Sequence, residues 1–271
     1  MKTAAAADNA LDRLVTELDR HDRLAIAVSG GVDSMTLAHV AQRFARARAT
    51  MYHAAGPAVP VAARRRVEAH AARHGWSLVV LDGGEFADER YRANPVDRCY
   101  YCKSHLYARI RGMTVDAIAS GTNRDDLGDF RPGLRAAAER GIVHPYVDAA
   151  IAKVDVYALA RRLGLGDLQR LPAQPCLASR VETGIAIAGA DLAFIDAVET
   201  RLGAKLGGEA VVRCRVTHGG VVIELGEASD AAAVRVARVI AIDACRAEGR
   251  VFAGVRSYRR GAAFLHVVVD G

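Results

Sequence analysis

The sequence predicts an α/β protein, a parallel sheet with helices on both faces over residues 1–182, followed by a small α+β domain over residues 183–271. Two observations carry this. Short apolar runs alternate with helical patterns up to about residue 182, the order of successive β-α-β units. Beyond that the order becomes α-β-β-α-β-β around a hairpin signal, "THGG" at 217–220.

The elements follow from periodicity. Residues 8–21 read as an amphipathic helix with Leu11, Leu14, Val15 and Leu18 on one face. "RLAIAVS" (23–29) is a buried strand that runs into "GGVDS" and then a helix to about Arg48. "ATMYHAA" (49–55) is a second strand, residues 60–75 a helix closed by Gly75, and "WSLVVLD" (76–82) a third strand. Residues 114–123 read as a fourth strand ending in a Gly-Thr-Asn loop, and 134–140 and 153–163 as helices. In the second part, 190–203 and "DAAAVRVARVIAIDACRAEG" are helices. "AVVRCRV" with "VVIELG" and "VFAGVRSY" with "AAFLHVVVD" are strand pairs. Ligands of the first part are expected beyond the carboxyl ends of its strands.

With 271 residues, the chain is long enough for one large or two modest domains with a proper core. Its net charge of +6 suits anionic ligands such as nucleotides, phosphates or carboxylates. The densest basic cluster, Arg64–Arg66, reads as a solvated helix face, so nucleic acid is not expected as a partner. No apolar stretch approaches the ~20 residues that span a bilayer, and no signal-peptide pattern opens the chain; a cytoplasmic protein with no membrane partner is expected. Cys99, Cys102, Cys176, Cys214 and Cys245 make an odd number of cysteines. That argues against a disulfide framework and for metal binding or catalysis.

The strongest motif is "AIAVSGGVDSMTLAHV" (25–40). Gly30 and Gly31 let the backbone turn tightly after a strand and aim N–H groups at an anion, and the next helix adds its N-terminal dipole. Ser29 and Ser34 can donate hydroxyl hydrogen bonds, and Asp33 can hold the Mg²⁺ that accompanies pyrophosphate. Neither a Walker A lysine nor a G-x-G-x-x-G is present. A plain glycine turn is the alternative. The motif S-G-G-V-D-S resembles the PP-loop of the ATP pyrophosphatases. That resemblance implies the adenine nucleotide alpha hydrolase-like fold and cleavage of ATP to AMP and pyrophosphate as a carbonyl oxygen is adenylated. Ser29, Gly30, Gly31, Asp33 and Ser34 would bind ATP, joined by Gly121 and Thr122 from the strand-end loop.

Further stretches narrow the resemblance: "GPAVP" (56–60), "GGEFADERYRANPVDRCYYCK" (83–103), "SGTNRDDLGDFRPGLRAA" (120–137) and "LPAQPCLASR" (171–180). Over about residues 10–230 they resemble the LarE family, ATP-dependent sulfur transferases that build the nickel-pincer cofactor of lactate racemase. The resemblance implies that a carboxylate of a pyridinium biscarboxylate mononucleotide attacks the α-phosphate of ATP. Cys176 then attacks the acyl-adenylate, and in sacrificial members its own C–S bond breaks to leave dehydroalanine. Two departures from the family's P-S-P-C-L-S-S-R pattern, Gln174 and Ala178, alter the loop's hydrogen bonding and keep the cysteine.

Arg180 next to this loop would favour a thiolate. Ser179 and Arg180 could bind phosphate, and Arg213 and Arg215 share one face of a strand and suit a substrate phosphate. Cys214 and Cys245 read as core. Lys103 is a candidate for the substrate's phosphate or carboxylate. Among carboxylates, Asp129 beside the nucleotide loop is a metal candidate, and Glu199, Glu224 and Asp230 fall near acidic family positions that bind metal. In family members carrying C-x-x-C, the pair plus the loop cysteine hold a [4Fe–4S] cluster whose open iron carries the sulfide that is transferred. The resemblance therefore implies Cys99, Cys102 and Cys176 as cluster ligands, and a homo-oligomer. A zinc site at the pair, with His105 as a further ligand, a thioredoxin-like redox pair and two core thiols are the alternatives. Other functions weighed are a PP-loop tRNA thiolase with a three-cysteine cluster, an ammonia-using amide ligase and a nucleotide-binding regulator.

Overall fold

In a computed structural model of the chain, residues 2–128, 130–171, 175–207 and 210–259 are described. Asp129, Gln174 and the strand expected at "AAFLHVVVD" lie outside them. The elements in chain order are α1 (Lys2–Leu18), β1 (Arg23–Ala27), α2 (Val32–Phe44), β2 (Arg48–Ala54), α3 (Val61–His74), β3 (Ser77–Leu81), α4 (Glu89–Arg92), α5 (Arg98–Arg111), β4 (Ala117–Ala119), α6 (Pro132–Glu139), α7 (Pro145–Asp148), α8 (Lys153–Arg162), α9 (Gly166–Gln169), α10 (Gly189–Leu206), β5 (Val212–Thr217), β6 (Gly220–Leu225), α11 (Ala231–Ala247) and β7 (Phe252–Ser257). They fall into two compact units. The first joins Met1–Asp88 to Cys99–Gln174, and the second joins Glu89–Arg98 to Pro175–Gly271. Among the described residues, no helix is long and apolar enough to cross a membrane.

The first unit is an α/β layer structure. Its four strands lie in the order β3-β2-β1-β4, all parallel. A parallel sheet is buried on both faces, so its inner strands read as near-continuous apolar runs. β1 fits this pattern with Leu24 and Ile26 on one face and Ala25 and Ala27 on the other. The Leu24 face packs with α1, α2 and α8 through Leu14, Leu37, Val40 and Leu159. The Ala25 face packs with α5 and α6 through Leu106, Ile110 and Ala137. The small alanines let α5 approach closely, while the larger residues fill the opposite layer. Ile26 is fully buried. Ile26→Ala is expected to cost about 2–5 kcal/mol in chemical denaturation, because the packed layer cannot close over the void.

Boundaries shifted where local chemistry intervened. α1 begins at Lys2, ahead of the expected residue 8, because the alanine run is the best helix former available. The strand expected at 114–123 contracts to Ala117–Ala119. Upstream, Thr114 Oγ1 accepts the Asp116 N–H in a turn (3.1 Å). Downstream, the chain leaves the sheet to meet α2. α3 ends as the glycine signal requires, with Gly75 at φ 63° and its N–H on Ala71 O.

The second unit holds the order β5-β6-β7. β5 and β6 form the antiparallel hairpin expected at "THGG", closed by the pair Thr217 and Gly220. β7 pairs with β6 in parallel, the crossover being α11. Asp230 caps α11, its Oδ1 accepting the Ala233 N–H at 2.8 Å. The segment Glu89–Arg98 is sewn into this unit by Asn94, which is buried with φ 55°. Its Nδ2 donates to Val181 O, Glu182 O and Ile185 O at 3.3, 2.9 and 2.9 Å.

Candidate active site at the carboxyl ends of the first two central strands

The strand order creates a switch point. From β1 the chain proceeds to β2 and β3 on one side, while β4 is added on the other, and a ligand crevice is expected beyond β1 and β4 at this point. The loops leaving these strands meet there. A Cβ on Gly121 would lie 2.7 Å from Ser34 N and 2.9 Å from its Cα, so only glycine permits the approach. Gly30 has φ 82°, and a Cβ there would lie 2.7 Å from the carbonyl oxygen of Ala63 in α3. Arg66 Nη1 donates to Gly30 O at 2.8 Å and holds the turn from the same helix.

The serines shape the loop from within. Ser34 Oγ accepts the Ser29 N–H at 3.0 Å and lies 3.1 Å from Ser29 Oγ. Gly31 is the N-cap of α2 and offers no side-chain cap, so the helix start keeps backbone donors and its positive dipole end for an anion. Asp33 is tied on two sides: Lys153 Nζ lies 2.5 Å from Oδ2, and Asn123 Nδ2 donates to Oδ1 at 3.2 Å. Its backbone carbonyl accepts from the buried Tyr146 hydroxyl at 3.0 Å, and burial, first, with Asp33 nearby, raises the Tyr146 pKa well above its usual value. On the β4 side, Ser120 Oγ is 3.0 Å from Thr122 Oγ1 and 2.8 Å from His144 Nδ1. Burial holds His144 below the ordinary histidine pKa and so favours its neutral form.

Thus Ser29, Gly30, Gly31, Asp33, Ser34, Gly121 and Thr122 share one crevice. Lys153, Asn123 and Tyr146 join them, and Lys153 carried no local motif in the sequence. A carboxylate offers about four lone-pair sites. Asp33 therefore has acceptor capacity left beside Lys153 and Asn123, as an oxygen ligand of a hard cation such as Mg²⁺ would require.

Elsewhere in this unit, Cys99 and Cys102 stand in the first turn of α5, three apart and therefore on one side of the helix, both half-buried. Lys103 Nζ lies 5.8 Å from the Tyr107 ring centroid. His105 Nε2 is 2.8 Å from Asp88 Oδ2.

The second unit holds the other predicted residues. Cys176 is half-buried and precedes a short 3₁₀ turn at Leu177–Arg180. Arg180 organises this loop, its Nη1 donating to Pro175 O at 2.7 Å, Cys176 O at 3.2 Å and Ser179 Oγ at 2.9 Å. Its Nε and Nη2 grip Glu199 in a bidentate pair at 2.9 and 3.0 Å, and Glu199 Oε1 also accepts the Cys214 N–H. Arg215 Nη1 reaches Ser179 O at 3.0 Å, and its Nε lies 2.5 Å from Glu224 Oε2. Arg256 donates to the other Glu224 oxygen at 2.9 and 3.1 Å. Arg213 is also buried, and burial lowers its pKa. Cys214 and Cys245 are buried, as core residues, and burial pushes the Cys214 thiol pKa well up.

No family model matches the chain. It is 37% identical over 167 residues to an uncharacterized protein of Synechocystis sp., a match covering 60% of this chain and 62% of that protein. The chain therefore spans less than two thirds of that relative. An uncharacterized protein of Methanocaldococcus jannaschii is 27% identical over 184 residues, 66% of this chain and 69% of that one. The pyridinium-3,5-bisthiocarboxylic acid mononucleotide synthase of Lactiplantibacillus plantarum is 28% identical over 220 residues, 79% of each chain.

Proposed function

We propose that the chain is an enzyme of the PP-loop ATP pyrophosphatase class. More particularly, we read it as a sulfur transferase of the LarE family that turns a carboxylate of a pyridinium mononucleotide into a thiocarboxylate. One observation carries the class: a glycine turn, an uncapped helix start and the Asp33–Lys153 pair converge at the crevice beyond β1 and β4. The likeness over 79% of both chains to a synthase whose name states this product supports the particular reading.

In this reading the backbone N–H groups of the Ser29–Ser34 turn hold the phosphates of ATP, and Lys153 adds a positive charge beside them. Mg²⁺, held through Asp33, would neutralise the departing pyrophosphate. A substrate carboxylate oxygen attacks the α-phosphorus, and the bond to pyrophosphate breaks. Sulfur then attacks the acyl carbon and AMP leaves. In the sacrificial route the Cys176 thiolate forms a thioester, loss of its Cα proton breaks the Cβ–S bond, and the chain retains dehydroalanine. In the alternative, Cys99, Cys102 and Cys176 would hold a [4Fe–4S] cluster, which would supply the sulfide that is transferred. The cluster proposal rests on the C-x-x-C pattern and the donor chemistry.

The test is anaerobic incubation with ATP, Mg²⁺ and pyridinium-3,5-biscarboxylic acid mononucleotide. AMP, pyrophosphate and thiocarboxylate are expected in equal amounts. Cys176→Ala should keep AMP release and lose the thiocarboxylate. A loss of about 34 Da from the chain marks the sacrificial route, and an unchanged mass with about four irons marks the cluster. ATP cleavage that responds to tRNA and not to the pyridinium compound would overturn the reading.

A further inference from the structure

Outside the crevice, α2 and α3 bring three histidines together. His39 projects from α2, and His70 and His74 stand four apart on one face of α3. One ring nitrogen from each lies within 4.8 Å of the others. His39 Nε2 is 2.8 Å from His70 Nδ1, and the His39 and His74 ring centroids are 4.6 Å apart. Trp76 packs edge-on against His39 at 4.8 Å and seals one side. His39 and His70 are buried, whereas His74 is part-exposed and opens the cluster to solvent.

The second ring nitrogen of His70 settles what the first is for. His70 Nε2 lies 2.8 Å from Asp167 Oδ2 on α9. A proton on Nε2 donates to that carboxylate and leaves Nδ1 as a lone pair facing His39 Nε2. A carboxylate that fixes the tautomer of an imidazole whose other nitrogen faces two more imidazoles is the outer-shell arrangement of a metal-bound histidine. Three imidazole nitrogens suit a borderline transition ion such as Zn²⁺ rather than Mg²⁺ or Ca²⁺.

We propose that His39, His70 and His74 form a binding site for a divalent transition metal ion of the zinc type, with Asp167 orienting His70. The fourth position falls on the open side at His74 and takes water. Metal–nitrogen bonds of about 2.1 Å at tetrahedral angles set ligand nitrogens about 3.4 Å apart, so binding widens the His39–His70 contact by roughly half an ångström. The His39 proton moves from Nε2 to Nδ1, and none is released. The ion would fasten α2, whose first turn forms the candidate phosphate site, to α3, whose Ala63 carbonyl and Arg66 seat Gly30. It would stiffen the loop from the middle of its helix without touching a ligand there.

The experiment uses the full chain without a polyhistidine tag, stripped with chelator, then titrated with Zn²⁺ and, separately, Co²⁺. Metal content, melting temperature and the visible Co²⁺ spectrum are read. One ion per chain is expected at this site. The Co²⁺ spectrum should lack thiolate charge-transfer bands, and the melting temperature should rise by roughly 5–10 °C at a free metal concentration about 100 times Kd. His74→Ala, chosen because His74 is the part-exposed ligand, should stay folded by circular dichroism and lose both the ion and the rise. Asp167→Asn should weaken binding about 10–100-fold. Cys99→Ser/Cys102→Ser should leave this ion in place. Failure of the folded wild-type chain to take up either metal would overturn the proposal. So would binding that survives His74→Ala and disappears with the cysteine pair.

Discussion

Gly121→Ala is expected to reduce pyrophosphate release by about 100-fold or more. The added methyl would meet Ser34 N at 2.7 Å, Ser34 Cα at 2.9 Å and the Asp33 carbonyl carbon at 3.0 Å. All three are backbone atoms, so no side chain can swing away. The turn itself is braced: Tyr146 holds the Asp33 carbonyl, and Asn123 and Lys153 hold its carboxylate. Something must shift by several tenths of an ångström, and the β1 and β4 loops must part. A misplacement approaching 1 Å costs about 100-fold in rate when reacting groups must be aligned. Overpacking should cost about 1–3 kcal/mol of stability besides. Gly128→Ala is the control, since a Cβ there meets nothing within 4 Å. It should leave both activity and stability near wild type. Equal pyrophosphate release from the Gly121 variant and wild type would show that the two loops do not cooperate in binding ATP.

The sheet was legible in the sequence because a buried parallel strand leaves a continuous apolar run, and Leu24–Val28 and Met51–Tyr52 are such runs. The loop after β1 was legible for a similar reason, since a tight turn before a helix requires glycine where φ is positive. β4 was harder. Only three residues keep strand pairing, and its loop is shaped by contact with α2 rather than by local turn chemistry. Lys153 could not be found by pattern at all. It stands 120 residues from Asp33 and becomes its partner only once the strand order is known. Carboxylates in the second unit present the opposite difficulty. An ion pair and a metal site ask for the same glutamate, and local sequence does not show which arginines fold against it. Arg180 lies 19 residues from Glu199, and Arg256 lies 32 from Glu224. The histidine cluster was half legible. H-x-x-x-H stands at 70–74, a spacing that the sequence reading passes over, while His39 joins it only through the packing of α2 on α3.

Glu224→Ala is expected to be the most destabilising of the ionic substitutions, by about 3–5 kcal/mol. Glu224 is fully buried and serves two guanidiniums, Arg215 on Oε2 and Arg256 on Oε1. The two arginines are not equivalent. Arg256 keeps about half its side chain in solvent (51% exposed) and recovers water when the glutamate is gone. Arg215 is enclosed (7% exposed) and keeps only the Ser179 carbonyl. Its charge would then be buried without a counter-ion, and that desolvation penalty, not the lost attraction, sets the size of the effect. Arg256→Ala alone should therefore cost less than Glu224→Ala, because the buried carboxylate keeps Arg215 as its counter-ion. The decisive variant removes both buried charges: Arg215→Met/Glu224→Met should recover most of the loss, because neither ion remains to be desolvated. Chemical denaturation of the full chain gives the three values, and hydrogen exchange across the β5–β6 pairing places the loss in this sheet. If the double variant proved as unstable as Glu224→Ala, the penalty would lie in packing and the charge argument would fail. The same reasoning bears on the Cys176 loop. Arg215 holds Ser179 O, so leaving its charge unpaired should also loosen the turn that carries the thiol. Glu224→Ala is therefore expected to raise the reactivity of Cys176 toward a thiol reagent, with Arg215→Met/Glu224→Met separating the lost Ser179 contact from the unpaired charge.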